Sequence, residues 1–360
     1  MTTHGEFSPS PASFRDQTRH NPAARPQGEP GFEREMGREG FSGPSCHLRH
    51  RHPPTGWTSF EGPLRPRAYD LNKLAAGPSC PLQARRLMHS RSAEIRFWRL
   101  DGRMQSLVRN ADGDMVIFVH NGQGHLYCDF GHMAFRDGDY LLIPRGSLWR
   151  LETEEPAEFL MVEATNGAFL LADSVTFTRP EIDDAYLQQQ DEKNWIVHIK
   201  RESAISTLTY PFNPLDTVEW KGDLSVLGIN WRDLRDQGSH QALFATDRLE
   251  IGNFVRNPKR QDRAVARPAV CHSNDDVDEL MFYHRGAFLA CENIHPGMIT
   301  FHPSGFPHGM DTGGAAGNHP ASYDSIPDEE VVMMLDARDM LHVDDTIPGG
   351  VEWKGYVHSW

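Results

Sequence analysis

Short runs of apolar residues, separated by turn residues, recur along most of the chain. The clearest runs are AEIRFWRL, DMVIFVHNGQGHLYC, HMAFRDGDYLLIPRG and AEFLMVEAT, between Glu94 and Val175. Runs of this length and spacing predict the strands of an all-β barrel. The Asn121-Gly122 pair predicts a hairpin turn between two of them. The β pattern resumes at Ser206 and continues to EEVVMMLDARDMLHV, so a second barrel is expected there.

Breaks in this pattern divide the chain into four parts. Residues 1–31 are rich in Pro, Ser, Gly and charge, which predicts a disordered tail. Residues 32–175 are predicted to form an N-terminal arm and a first barrel, and residues 207–360 a second barrel. Between them, residues 176–206 are interpreted as a connector with a short polar helix near Glu181–Gln190. His47, His50 and His52 in the arm are compatible with a metal tract, but an extended arm packed on the barrel is favoured.

Composition narrows the possible functions. The chain has 360 residues, a mean hydropathy of -0.56 and no long apolar run, so no membrane span is expected. The formal net charge of -14 argues against a nucleic-acid partner, because little positive charge is available for phosphates. The five cysteines form no C-x-x-C pair, and the N-terminus lacks an apolar signal segment. These features predict a cytoplasmic protein without disulfides.

The residues most suited to chemistry are concentrated in the stretch from Cys271 to Met310. Two spacings occur in it: His272-x-Asn274-x4-Glu279-x6-Gly286 and Gly297-x5-Pro303-x-Gly305-x2-His308. Alternation along a strand places Asp278 on the opposite face from Glu279, with Leu280, Phe282 and His284 also facing away from Glu279. His302, six residues before His308, is compatible with a metal ligand, but a hydrogen-bonding role beside the ligands is favoured. His284 and His295 are expected to be surface or loop histidines.

These two spacings resemble the paired motifs of the cupin β-barrel, with Asn274 where many cupins have a second histidine. The fold class expected is therefore all-β, a bicupin of two tandem barrels with short helices. The resemblance implies that His272, Glu279 and His308 bind a metal, and two histidines with one carboxylate suit Fe(II). Mn, Ni, Co and Zn remain open by ligand type, as does a metal-free barrel with a polar mouth.

The first barrel contains a similar second motif, Gly138-x5-Pro144-x-Gly146-x2-Trp149, with tryptophan in place of the ligand histidine. Upstream, Asp114 is the nearest match to the motif glutamate. This alignment places Leu107 and Arg109 where ligand histidines would stand. The chain is therefore predicted to carry one metal site, in the second barrel.

The segments HSN, DELMFYHRG and MITFHPSGFPHG together resemble the homogentisate 1,2-dioxygenase family, in its shorter bacterial form. The likeness extends loosely over residues 36–345, through MGREGF, NPLDTVEWKGDL, IGNFVRNP and PDEEVVMMLDAR. It implies an Fe(II) enzyme that uses O2 to cleave the ring of a small aromatic acid such as homogentisate, in aromatic catabolism. It also implies a homo-oligomer, a trimer or hexamer.

Residue by residue, the family resemblance matches His272, Glu279 and His308 to the iron ligands and His302 to a histidine near the substrate. The family's acid/base histidine is replaced by Lys221, so Lys221 and His302 are the candidates for catalytic proton handling. A tyrosine thought to touch substrate is replaced by Phe288.

Asn274, Arg285 and Phe288 are the candidate substrate contacts. Because Lys221 and Phe288 depart from the family pattern, a non-oxidative cupin remains the alternative. It would bind a small acid, or act as an isomerase with another metal.

Overall fold

A computed structural model describes residues 32–38, 44–172, 175–188, 194–234, 241–256, 271–274, 276–286, 288, 293–308 and 330–359. For residues 32, 33, 35, 45, 47, 256 and 271–274 it describes the backbone alone. The predicted disordered tail, residues 1–31, lies outside this set.

The structure is almost entirely β, as predicted. The strands before the connector are β1 (Phe32–Gly37), β2 (Ser45–His50), β3 (Arg67–Asp70), β4 (Arg85–His89), β5 (Ala93–Leu100), β6 (Leu107–Asn110), β7 (Gly113–Asn121), β8 (Gly124–Cys128), β9 (Gly131–Phe135), β10 (Asp139–Ile143), β11 (Leu148–Thr153), β12 (Ala157–Thr165) and β13 (Leu170–Leu171).

The later strands are β14 (Trp195–Arg201), β15 (Ala204–Tyr210), β16 (Leu227–Asn230), β17 (Gln241–Ala245), β18 (Leu249–Arg256), β19 (Cys271–Asn274), β20 (Asp278–Arg285), β21 (Met298–His302), β22 (Glu330–Ala337) and β23 (His342–Val343). The one α-helix of the described chain is α1 (Asp184–Leu187), and short 3-10 helices span Leu71–Lys73, Pro81–Gln83, Trp231–Asp233 and Tyr356–His358.

Two seven-stranded sheets have the same order of equivalent strands. One runs β16-β10-β7-β12-β5-β4-β23, and the other, from its opposite edge, β3-β21-β20-β22-β18-β17-β13. The first faces a six-stranded sheet, β15-β14-β6-β11-β8-β9, and forms the first barrel with it. The second, with the three-stranded sheet β19-β1-β2, forms the second barrel. The two-cupin architecture predicted from the motifs is confirmed.

The two halves of the chain exchange strands. β3 precedes the first barrel but pairs with β21 of the second, whereas β16 precedes the second barrel but pairs with β10 of the first. The β1–β2 hairpin is added to β19 in parallel, and the β14–β15 hairpin is added to β6 in the same way. β13 and β23 cross over similarly, onto β17 and β4. Each barrel therefore depends on the other half of the chain.

Side-chain alternation produces separate cores on the two faces of each large sheet. On β7, Ile117 and Val119 point into the first barrel, while Val116 and Phe118 point toward the second. Phe118 meets Phe282 edge-on, with ring centroids 5.9 Å apart. The largest apolar core thus lies between the two seven-stranded sheets and joins the barrels into one body.

Several sequence predictions can be compared directly with this arrangement. The polar helix of the connector is present as α1, but the connector also contributes β14 to the first barrel. The predicted arm is the β1–β2 hairpin on the second barrel. The predicted Asn121-Gly122 hairpin is wrong: β7 and β8 lie in different sheets, because the chain crosses from one layer of the first barrel to the other at this turn. The boundaries 32–175, 176–206 and 207–360 stay predictions.

In the described part of the chain, no helix is long and apolar enough to cross a lipid bilayer.

Candidate metal centre

Strand β20 supplies the carboxylate of the candidate site. Asp278 and Glu279 begin the strand and, as alternation predicted, face opposite ways. The Asp278 carboxylate accepts backbone hydrogen bonds from Ser304 N at 2.8 Å and Leu341 N at 2.7 Å, so it ties down the turn of the second motif. Glu279 lies on the inner face of the strand and is 4% exposed. Asp278 is therefore structural, and Glu279 is the carboxylate available inside the barrel.

The second motif brings two histidines to this carboxylate. His302 ends β21 directly opposite Glu279 in the antiparallel register, and its Nδ1 lies 2.6 Å from Glu279 Oε1. Gly305 adopts a φ of +81°, a left-handed turn that glycine allows, and the chain then returns to His308. The rings of His302 and His308 stack with centroids 4.3 Å apart at 22°.

Glu279, His302 and His308 thus form a buried cluster whose possible ligand atoms all lie within 4.8 Å of one another. His308 Nδ1 lies 3.1 Å from the carbonyl oxygen of Phe306, which can only accept, so Nδ1 donates. In a neutral imidazole this leaves the lone pair on Nε2, which lies 3.5 Å from Glu279 Oε1. Two acceptors held this close inside a barrel are suited to share a cation. Imidazole nitrogen and carboxylate oxygen fit Fe(II) and several other divalent metals.

The other members of the first motif are described only through their backbones. His272 and Asn274 lie on β19, where they pair in parallel with Glu35 and Gly37 of β1. Their side chains lie outside the described residues, so His272 as a ligand and Asn274 as a substrate contact stay predictions.

The first barrel shows what the same positions become without a metal. The Asp114 carboxylate accepts from Arg145 N at 2.7 Å and Phe169 N at 2.9 Å, the role that Asp278 has in the second barrel. Asp114 is therefore equivalent to Asp278, and the predicted match of Asp114 to Glu279 is wrong by one residue. Alternation explains the consequence, because a shift of one residue moves every side chain to the other face.

With that shift, Met115 is equivalent to Glu279, and Val108 to His272, in place of the predicted Leu107. Ile143 is equivalent to His302, and Trp149 to His308. These four side chains all belong to the apolar interior of the first barrel. The first barrel thus presents hydrocarbon and indole where the second presents a carboxylate and imidazoles.

The remaining predicted residues are not brought to the cluster. Lys221 is exposed, and its neighbour Trp220 is anchored on the first barrel through its Nε1, 3.0 Å from the carbonyl oxygen of Phe130. Arg285 is at the far end of β20, six residues and about 20 Å from Glu279, where it lies 4.0 Å from Asp137. Their catalytic and substrate-binding roles stay predictions.

Phe288 is buried beside Tyr283, with ring centroids 4.7 Å apart, in the apolar group that also contains Tyr356. Its role as a substrate contact also stays a prediction.

Two residues near the cluster were missed by sequence reasoning. The hydroxyl of Tyr356 lies 2.7 Å from His302 Nε2, although 54 residues separate them. Asp336 stands opposite Glu279 on β22, and burial together with the charges of Glu279 and Glu250 raises its pKa well above the usual range. Neither belongs to a motif; the aromatic-rich end of the chain was the only signal for Tyr356.

The expectation for His284 is wrong, whereas His295 is exposed as expected. His284 is only 6% exposed, and its Nδ1 lies 3.1 Å from Nδ1 of His120 in the first barrel. The core between the barrels covers this face of β20, and the sequence alone did not predict that contact.

Comparison with known proteins finds sequence relatives that are named as dioxygenases. The family model for the N-terminal part of homogentisate 1,2-dioxygenase matches residues 84–227. A protein of Saccharolobus solfataricus, named provisionally as a dioxygenase, is 26% identical over 86% of this chain and 88% of its own length. The homogentisate 1,2-dioxygenase of Nitrobacter hamburgensis is 27% identical over 56% of this chain.

The chain is therefore similar in sequence to the homogentisate 1,2-dioxygenase family, most clearly over residues 84–227. It spans about half the length of the Nitrobacter homogentisate dioxygenase, and 60% of that from Dictyostelium discoideum, to which it is 27% identical. These relatives support a dioxygenase-type function.

Among solved structures, a cupin 2 conserved barrel domain protein from Leptotrichia buccalis overlaps 75% of this chain and 95% of its own, with 10% identity and a TM-score of 0.40. A variant of Bacillus subtilis oxalate decarboxylase overlaps 79% and 80%, with 11% identity and the same score. At these scores the likeness carries no argument, and the description of the fold rests on the strand pairing.

Proposed function

We propose that this chain is an Fe(II)-dependent dioxygenase that cleaves the ring of a dihydroxylated aromatic acid such as homogentisate. The observation that carries the proposal is the placement of His308 Nε2 and Glu279 Oε1, 3.5 Å apart and buried, inside the barrel predicted to hold the metal. His272 is the proposed third ligand. A bound ferrous ion would supply the one-electron chemistry that allows O2 to react with an aromatic ring.

The protein residues position the metal-binding groups and exclude water. The Phe306 carbonyl fixes the proton of His308 on Nδ1, and His302 holds one oxygen of Glu279. Behind them, Phe288, Ile294 and Met298 form an apolar wall. Such a wall strengthens the electrostatic interactions of the ligands and protects reactive species from water.

The proposed reaction is balanced without a further reductant. Both atoms of O2 enter the product, the bond between two ring carbons breaks, and the ring itself is oxidised. The hydroxyl protons of the substrate must leave as the ring opens. Lys221 and His302 are the proposed groups for proton handling and for stabilising the substrate anion.

An oxygen-electrode assay on the anaerobically purified, Fe(II)-reconstituted protein tests this proposal. A panel of dihydroxylated aromatic acids should include one that stimulates O2 uptake with one O2 consumed per substrate. Glu279→Gln and His308→Ala should abolish this uptake and reduce bound iron, while the exposed-residue control His295→Ala should retain both. Turnover by His308→Ala equal to that of the unaltered protein would refute the metal role.

The alternative, a non-oxidative cupin, is an outcome of the same experiment. Zinc or no metal after anaerobic purification, with no substrate-dependent O2 uptake, would favour it over the dioxygenase. A cytoplasmic location and a trimeric or hexameric assembly remain proposals; light scattering of the purified protein tests the assembly.

A further inference from the structure

Tyr356 reaches the candidate metal centre from the C-terminal end of the chain. It begins the 3-10 helix Tyr356–His358, is 1% exposed, and stacks on His302 with ring centroids 5.9 Å apart at 18°. Its hydroxyl lies 2.7 Å from His302 Nε2, while His302 Nδ1 lies 2.6 Å from Glu279 Oε1. A phenol, an imidazole and a carboxylate therefore form one buried hydrogen-bonded chain.

The chemistry of the three groups sets the direction of these hydrogen bonds. An ionised Glu279 can only accept, so in a neutral His302 the proton is on Nδ1 and is donated to Oε1. His302 Nε2 then carries a lone pair and accepts from the Tyr356 hydroxyl. The opposite tautomer would place a lone pair of Nδ1 against the carboxylate oxygen at 2.6 Å, which is repulsive.

We propose that Tyr356 is a positioning residue for the metal centre. By donating to Nε2, it supports the Nδ1–H tautomer of His302 that Glu279 requires and fixes the plane of the ring. His302 in turn holds Oε1, which orients the Glu279 carboxylate toward the metal. Both ring nitrogens of His302 are engaged in this way, so His302 acts on the metal through Glu279. The proposal rests on the proposed function, because it requires that the cluster binds a metal.

Tyr356 is held firmly enough for this role. The strap that carries it runs along β3: Val351 accepts from Asp70 N at 2.9 Å, and Trp353 N donates to Ala68 at 2.9 Å. Glu352 in the same strap lies 2.9 Å from Arg65 and 3.1 Å from Arg67. The C-terminal strap, residues 351–356, thereby places the phenol through a strand that belongs to the first half of the chain.

The first test is the tautomer of His302 in the unaltered, metal-free protein. With ¹⁵N-labelled histidine, His302→Gln identifies the His302 resonances by their disappearance. The expected result is a protonated Nδ1 and an unprotonated Nε2. A protonated Nε2 would overturn the proposal even if the protein proved to be a dioxygenase. This readout needs no metal, so it tests the direction of the two hydrogen bonds even if the proposed function fails.

The second test is metal affinity, with Co(II) as the probe under anaerobic conditions. Tyr356→Phe removes only the hydroxyl and is expected to weaken Co(II) binding about 10- to 100-fold, the usual effect of losing a partner of a ligand. The Co(II) absorption bands should shift as well. Tyr283→Phe is the matched control, because Tyr283 is buried in the same apolar group and its hydroxyl lies 3.3 Å from Thr300 Oγ1.

Equal Co(II) affinity and spectra in Tyr356→Phe and the unaltered protein would refute the positioning role. An equal loss in Tyr283→Phe would also refute it, by showing that affinity follows packing and not the hydrogen bond. If the unaltered protein binds no Co(II), the proposed function and the positioning role at a metal both fail, whereas a protonated Nε2 overturns the positioning role alone.

Discussion

The histidine pair between the barrels should make the protein sensitive to mild acid. His120 and His284 occupy equivalent positions at the ends of β7 and β20, with their Nδ1 atoms 3.1 Å apart. One Nδ1 must donate and the other accept, so the contact requires at least one neutral ring. Burial lowers the pKa of His120 to about 4 and that of His284 to about 3.

The charges around the pair do not cancel this effect. Glu158 and Asp137 raise the pKa of His120, whereas Arg99 lowers it. Around His284, the positive charges of Arg232 and Arg285 oppose that of Asp137. Desolvation is the largest cause for both rings, because Phe118, Phe282 and Trp231 surround them.

The direction of the pH effect on stability follows from proton uptake. With folded pKa values below the unfolded value of about 6.5, the unfolded chain binds more protons between these values, so the free energy of unfolding decreases as pH falls. Between pH 7 and pH 5 a fully shifted histidine costs about 2 kcal/mol. His120 is partly exposed, so we discount its share and expect about 3 kcal/mol for the pair.

Urea unfolding at 25 °C, followed by tryptophan fluorescence at several pH values, measures this loss. Between pH 7 and pH 5, the double variant His120→Phe/His284→Phe should lose about 3 kcal/mol less of its free energy of unfolding than the unaltered protein does, whatever its absolute stability. His295→Phe, at an exposed position, should keep it. Asp336 is the main opposing group, since its raised pKa makes the folded state bind more protons. Identical slopes in the double variant and the unaltered protein would refute the reasoning.

Two further perturbations test the exchange of strands and the shared core. Lys200 on β14 is 3% exposed and lies 2.8 Å from Glu163 and 2.9 Å from Asp112. Lys200→Met should lower the free energy of unfolding by about 3–5 kcal/mol in urea denaturation at pH 7, because it leaves buried carboxylates unpaired. Arg201→Met, an exposed neighbour, should change it little, and a Lys200→Met loss under 1 kcal/mol would contradict the ion-pair assignment. Phe282→Ala should remove about 3–5 kcal/mol in the same assay through a cavity between the barrels. A much smaller loss would mean that the barrels are not packed as one body.

Much of the fold was predictable from local pattern. Alternation along the run ELMFYHRG correctly separated Glu279 from Asp278, because successive side chains of a strand face opposite sides whatever packs on them. The spacing of turn residues around Pro303 and Gly305 similarly predicted the return of the chain to His308. Such spacings predict the residues of the site, because each spacing involves residues that are close together in the chain.

The one-residue error at Asp114 shows where local pattern fails. Asp114 and Glu279 are both acidic residues at the start of a strand, and no property of the single residue distinguishes a carboxylate that binds backbone amides from one that faces a metal. The amides of Arg145 and Phe169 decide the matter. They come from turns that only the folded barrel brings next to Asp114.

The sequence by itself determined the all-β class and the doubled barrel. It also determined that one barrel has a carboxylate and imidazoles at positions where the other barrel has apolar residues. These properties follow from the alternation and spacing of residues that are close together in the chain. Only the tertiary structure decided that His284 is buried against His120, that the halves exchange strands, and that Tyr356 reaches His302 across 54 residues. Such contacts depend on which surfaces meet, and they are selected by burial and hydrogen bonding between segments far apart in the chain.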